Sequence, residues 1–139
     1  MQEDYMDDVI KAVAINPRIT TVDLSKNGFQ DNDMEIVAGI FKNCKGLASF
    51  NFSDNEIPEA STEKLFESAV NHAHALTEFY YNENEVKDVM GKKCLDLALK
   101  LPKLKMLEMK RTISDELGKE YERKFRHKGI DFKYEKIEA

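Results

Sequence analysis

With 139 residues, 42% of them hydrophobic and 34% charged, and a net charge of −5, the chain has the length and composition of one soluble globular domain. No apolar run approaches the roughly 20 residues needed to span a bilayer, and the acidic start MQEDYMDDVI lacks the basic and apolar regions of a secretory signal, so the reading is cytoplasmic or nuclear residence without membrane association. Net acidity also repels phosphate and argues against a nucleic-acid partner.

In chain order, the first element is a helix from about Glu3 to Ile15. Met6, Val9, Ile10 and Val13 fall at helical spacing, and Pro17 stops it. The stretch ITTVDLSKNGF then begins as a strand, with Ile19, Val22 and Leu24 alternating with Thr21, Asp23 and Ser25, before Asn27 and Gly28 interrupt it. No second alternating run returns, so this is not a hairpin. A helix over about Asn32–Asn43 follows, with Met34, Val37 and Ile40 or Phe41 as its apolar set. LASFNFSDNEI repeats the strand and turn, and LTEFYYNENEV repeats them again. Their helices span about Ala60–Asn71 (Leu65, Phe66, Ala69, Val70) and Val89–Leu101 (Cys94, Leu95, Leu97, Ala98). LKMLEMKRTIS is an imperfect fourth copy. Thr112 stands where Asn is expected and Ile113 arrives one position early, which predicts a shortened or altered turn. A helix over about Asp115–Lys128 (Leu117, Tyr121, Phe125) and a short strand with Phe132 and Tyr134 close the chain.

Ile19, Leu47, Leu76 and Leu104 open the four copies, at spacings of 28, 29 and 28 residues. A fixed period of this length marks a repeat architecture, in which each unit stacks only on its neighbours. The residues that carry the period, Ile19, Val22, Leu24, Asn27 and Phe29 and their counterparts, resemble the leucine-rich repeat family, ribonuclease-inhibitor-like subclass. Phe, Tyr, Val, Ile and Met replace many of its leucines. The resemblance implies an α/β fold: a right-handed solenoid with a short parallel sheet on the concave face and helices on the convex face. It divides the single domain into an N-terminal capping helix (1–18), repeats at 19–46, 47–75, 76–103 and 104–128, and a C-terminal capping strand (129–139). It also implies that Asn27, Asn55 and Asn84 are largely buried and form a ladder of bonds to neighbouring backbone, a role Asn suits chemically.

The sequence offers no catalytic constellation, and the expectation is a protein without enzymatic activity, cofactor or metal. Cys44 and Cys94 lie in different repeats and read as free thiols. His72 and His74 end a helix, where the dipole favours them, and two histidines do not define a metal site. The stretch GKK at Gly91–Lys93 lacks the rest of a phosphate-binding loop. The turn acids Asp31, Asp33, Asp54, Glu56, Glu83 and Glu85 lack the spacing of an EF-hand and read as a solvated edge. Charge is unevenly distributed: residues 1–89 carry 17 acids and 7 bases, and residues 90–139 carry 9 acids and 14 bases. In a linear stack this becomes a dipole along the axis that could orient a charged partner.

Outward strand positions form three columns: Thr21, Ser49, Glu78 and Met106; Asp23, Asn51, Tyr80 and Glu108; Ser25, Ser53, Asn82 and Lys110. Tyr80 and Met106 stand out, because a solvated strand face requires neither an aromatic ring nor a thioether. The expected function is a monomeric interaction module that binds a protein partner through Asp23, Asn51, Glu78, Tyr80, Asn82, Met106, Glu108 and Lys110. Two other readings stay open. One is a GTPase regulator similar to Ran GTPase-activating protein. The other is an actin-binding domain similar to tropomodulin, which the stretch INPRITTVDLSKN resembles.

Overall fold

The computed structural model describes residues 8, 11–13, 15–16, 18–29, 33–55 and 57–134. Residues 8 and 11–13 are helical, Ile15 lies in a turn short of the predicted helix end, and the other residues of the predicted first helix lie outside the described residues. From there the chain alternates strand and helix: β1 (Thr21–Asp23), α1 (Met34–Asn43), β2 (Ser49–Asn51), α2 (Glu59–His72), β3 (Glu78–Tyr80), α3 (Asp88–Ala98), β4 (Met106–Glu108), α4 (Asp115–His127) and β5 (Asp131–Lys133). A helix between successive strands returns the chain to the same end of the sheet, so the pairs must be parallel. All five strands form one parallel sheet in the order β1-β2-β3-β4-β5. Each strand pairs with the next in sequence, and helices touch helices in the same order.

The strands are three residues long, but the backbone ladder outlasts them. Leu24, Phe52 and Tyr81 donate to Asn51, Tyr80 and Glu108 at 2.8–2.9 Å. Lys26, Asp54 and Glu83 then donate to Ser53, Asn82 and Lys110 at 2.8–3.0 Å. The same three residues, with Arg111, hold left-handed backbone at φ 54–58° and turn the chain out of the sheet. Middle strand residues Val22, Phe50, Phe79 and Leu107 are buried against the helices, and their neighbours face out. This is the alternation a half-buried strand requires.

One hydrophobic cluster runs the length of the stack. Its centre is aromatic. Phe41 meets Phe50 edge-on at 4.7 Å, Phe66 stacks on Phe79 at 4.9 Å, and Phe29, Phe52 and Tyr81 stack in succession at 5.1 and 6.4 Å. The rings fill the volume left between sheet and helices where shorter side chains would leave voids. Tyr81 brings a hydroxyl into this core, and the Thr62 hydroxyl of α2 bonds it at 2.6 Å.

The turn asparagines bond backbone as expected. Asn55 Nδ2 donates to the carbonyls of Leu24 and Phe52, both at 3.1 Å, and Asn55 Oδ1 accepts from the Asn27 amide at 2.9 Å. Asn84 Nδ2 donates to Phe52 at 2.8 Å, and Asn84 Oδ1 accepts from the Asn55 amide at 2.8 Å. Asn27 departs from expectation: it is only half-buried and its Nδ2 bonds Ser25 within its own turn. It belongs to the first strand's unit, and among the described residues no earlier strand supplies a carbonyl. In the fourth unit the Thr112 hydroxyl donates to the Tyr81 carbonyl at 2.7 Å, doing the work of an asparagine amide. That turn is indeed shorter: α4 starts three residues after Thr112, whereas α2 and α3 start four after Asn55 and Asn84. The third helix ends at Ala98 rather than Leu101. Pro102 disfavours helical backbone at Leu101, and residues 99–100 tighten into a turn.

Candidate functional site: the outward sheet face

Strand pairing fixes which side chains share the exposed face. In register, Thr21, Ser49, Glu78, Met106 and Asp131 form one row, and Asp23, Asn51, Tyr80, Glu108 and Lys133 form the next. Ser25, Ser53, Asn82 and Lys110 continue the face beyond the strands, bound into the backbone ladder that ends each strand. All eight expected site residues therefore lie on this one face. Asp131 and Lys133, which sequence reasoning did not include, extend both rows by one strand. The alternation of Asp131, Phe132 and Lys133 carried that signal.

The face is organised by hydrogen bonds between neighbouring side chains. Tyr80 OH donates to Glu78 Oε1 at 3.0 Å, and the Ser49 hydroxyl donates to the same oxygen at 3.4 Å. Asn82 Nδ2 donates to Glu108 Oε1 at 3.2 Å, while Asn82 Oδ1 accepts from the Lys110 amide at 2.7 Å. Asp23 Oδ1 accepts from both the amide and the hydroxyl of Ser25, at 3.0 and 2.6 Å. Asn51 Oδ1 accepts from the Ser53 amide at 3.0 Å. These bonds hold several of the outward side chains in fixed positions on the face.

Tyr80 and Met106 are half-buried rather than fully displayed. Partial burial raises the Tyr80 phenol above its ordinary value, and its bond to Glu78 and the charges of Glu78 and Glu108 raise it further. The phenol therefore remains a neutral donor. The carboxylates of Asp23, Glu78, Glu108 and Asp131 dominate the face, while its cations, Lys110 and Lys133, belong to the last two units, with Lys133 3.8 Å from Asp131. The charge gradient read from sequence thus continues across the sheet.

Comparison of the chain with protein-family models and with curated proteins returned no match. The remaining candidates are placed as follows. Cys44 and Cys94 are free and buried. Burial pushes the Cys94 thiol up to about 12 and also raises Cys44. His72 is the last residue of α2, and the His74 ring lies 3.2 Å from the Val70 carbonyl at the end of that helix. Glu83 sits 3.4 Å from Arg111 across adjacent turns. Among the described residues, no group of three or more His, Cys, Asp or Glu side chains is placed to hold a metal ion, and no helix is long and apolar enough to cross a membrane.

Proposed function

We propose that the chain is a leucine-rich-repeat domain of the ribonuclease-inhibitor-like subclass, a right-handed solenoid that acts as a non-enzymatic module and takes up a protein partner on the concave side of its sheet. The observation that carries this reading is the in-register row Asp23–Asn51–Tyr80–Glu108–Lys133, with an aromatic ring at its centre. A central aromatic surrounded by polar groups has the composition of a binding hot spot and can be fully enclosed on association. Acids run along the whole face while lysines offset them only in the last two units, which favours a partner whose basic groups meet the first three strands and whose approach slows as salt screens the charges.

Photo-crosslinking tests the face itself. A benzoyl-phenylalanine at position 80 should capture a partner from the source cell, and the same group at position 64 on the exposed side of α2 should not. With that partner in hand, Tyr80→Ala should leave the fold intact and weaken binding by about 2 kcal/mol or more in calorimetry. Equal affinity of wild type and variant would remove Tyr80 from the interface.

A further inference from the structure

The two loop edges of the stack differ in charge. The first three loops leading from strand to helix carry acids, among them Asp33, Asp54, Glu83 and Glu85, while the fourth, residues 109–114, carries Lys110 and Arg111. Loops leading from helix back to strand, residues 44–48, 73–77, 99–105 and 128–130, contain no carboxylate. Lys45, His74, Lys100 and Lys103 from three of them line one groove, with Val70 and Pro102 between them. Among the described residues, the ion pairs engage Lys92, Arg111, Lys119, Arg126 and Lys133, and none involves Lys45, Lys100 or Lys103. Helix capping does not account for these lysines either. The last turn of α3 holds no base, and Lys100 and Lys103 follow its final residue, Ala98, by two and five positions. The helix dipole acts only within the terminal turn.

We propose that this groove is a second docking edge, separate from the sheet face, for an extended acidic segment of a protein partner. Spacing decides the ligand class. Lys45 and Lys100 lie on loops two strands apart, and neighbouring strands are about 4.8 Å apart, so the cations are strung over roughly 10 Å. A single phosphate needs donors that converge within about 3 Å. Carboxylates on alternate residues of an extended chain recur every ~7 Å along one side, which suits a row of lysines. Val70, Ala75 and Pro102 offer apolar contact to the residues between them. A nucleic acid would meet the acids of the sheet face and of the opposite edge. The acidic loops of a second copy bend at Asp54 and Glu83, which hold left-handed backbone, and match an extended row of lysines less well than an extended segment does.

The test is a titration of the isotope-labelled chain with a ten-residue alternating Glu-Gly peptide, followed by amide chemical shifts. Shifts should be confined to residues 44–46, 73–76 and 99–105, and affinity should fall at least fivefold between 50 and 300 mM salt. A Lys45→Gln, Lys100→Gln, Lys103→Gln variant should bind at least tenfold more weakly, and Lys103→Gln alone about threefold. Lys92→Gln with Lys119→Gln, whose lysines pair with Glu120 and Asp115 on the helices, should bind as wild type. Four outcomes would overturn the proposal: undiminished binding by the folded lysine variants; shifts on the sheet face instead; tighter uptake of a single-stranded oligonucleotide or of inorganic phosphate at the same amides; or salt-sensitive self-association in sedimentation without peptide uptake.

Discussion

Asn55 ties three units together. Its side chain bonds the carbonyl of Leu24 in the unit before, its amide bonds Asn84 in the unit after, and it is 3% exposed. Asn55→Ala strands the carbonyl of Leu24 and the amide of Asn27, while the Phe52 carbonyl keeps its bond from Asn84, and should cost roughly 1–3 kcal/mol, read as a lower urea midpoint. The position was legible because its amide recurs at one offset in three copies. The half-exposure of Asn27 was not, because composition is blind to which unit lacks a predecessor. The left-handed turn residues were also hidden. Lys26, Asp54, Glu83 and Arg111 share no chemistry, and Gly28, the glycine that signals the first turn, lies two positions beyond the first of them. Backbone bonds to the next unit hold the first three there at a strain of roughly 1–2 kcal/mol each.

At the scale of elements, strand and helix order followed from alternation giving way to helical spacing, and helix limits fell within a few residues of those expected. The parallel sheet followed from the helix between each pair of strands. Side-chain pairing between elements was less legible. Thr62 and Tyr81 are 19 residues apart, and nothing in either segment announces that their hydroxyls meet at 2.6 Å. The pair joins α2 to the chain leaving β3. Thr62→Val should cost about 1–3 kcal/mol by leaving the buried phenol without its partner. Thr62→Val combined with Tyr81→Phe should recover much of that loss, and a double-mutant cycle should show coupling above about 0.5 kcal/mol. Additive effects would mean that the phenol is satisfied otherwise. The outward face was read correctly as a set of positions, since period fixes orientation. The bonds that tether Tyr80 to Glu78 and Asn82 to Glu108 depend on rotamers that period does not encode.

For the whole molecule, buried thiol and phenol groups held protonated by burial should make stability fall in alkali. The Cys94 thiol is pushed from 9.0 up to about 12, and burial also raises Tyr81 and Tyr121. Between the unfolded and folded values the folded chain binds the extra proton, so stability is full below pH 9 and falls as pH rises toward 12. One such group contributes a slope of up to about 1.4 kcal/mol per pH unit. Urea unfolding of Cys94→Ala should therefore show a shallower decline between pH 9 and 11 than wild type, and parallel curves would argue against the thiol. The sheet order described above also has a mechanical consequence. Strands lie side by side in chain order, so tension applied across residues 18 and 134 acts along the inter-strand bonds instead of shearing them. Each row of bonds can fail before the next is loaded. An optical trap should record a low-force staircase in which each step frees one 28- or 29-residue unit, about 100 Å of extended chain. A single high-force rip of the full length would show that the units do not yield separately.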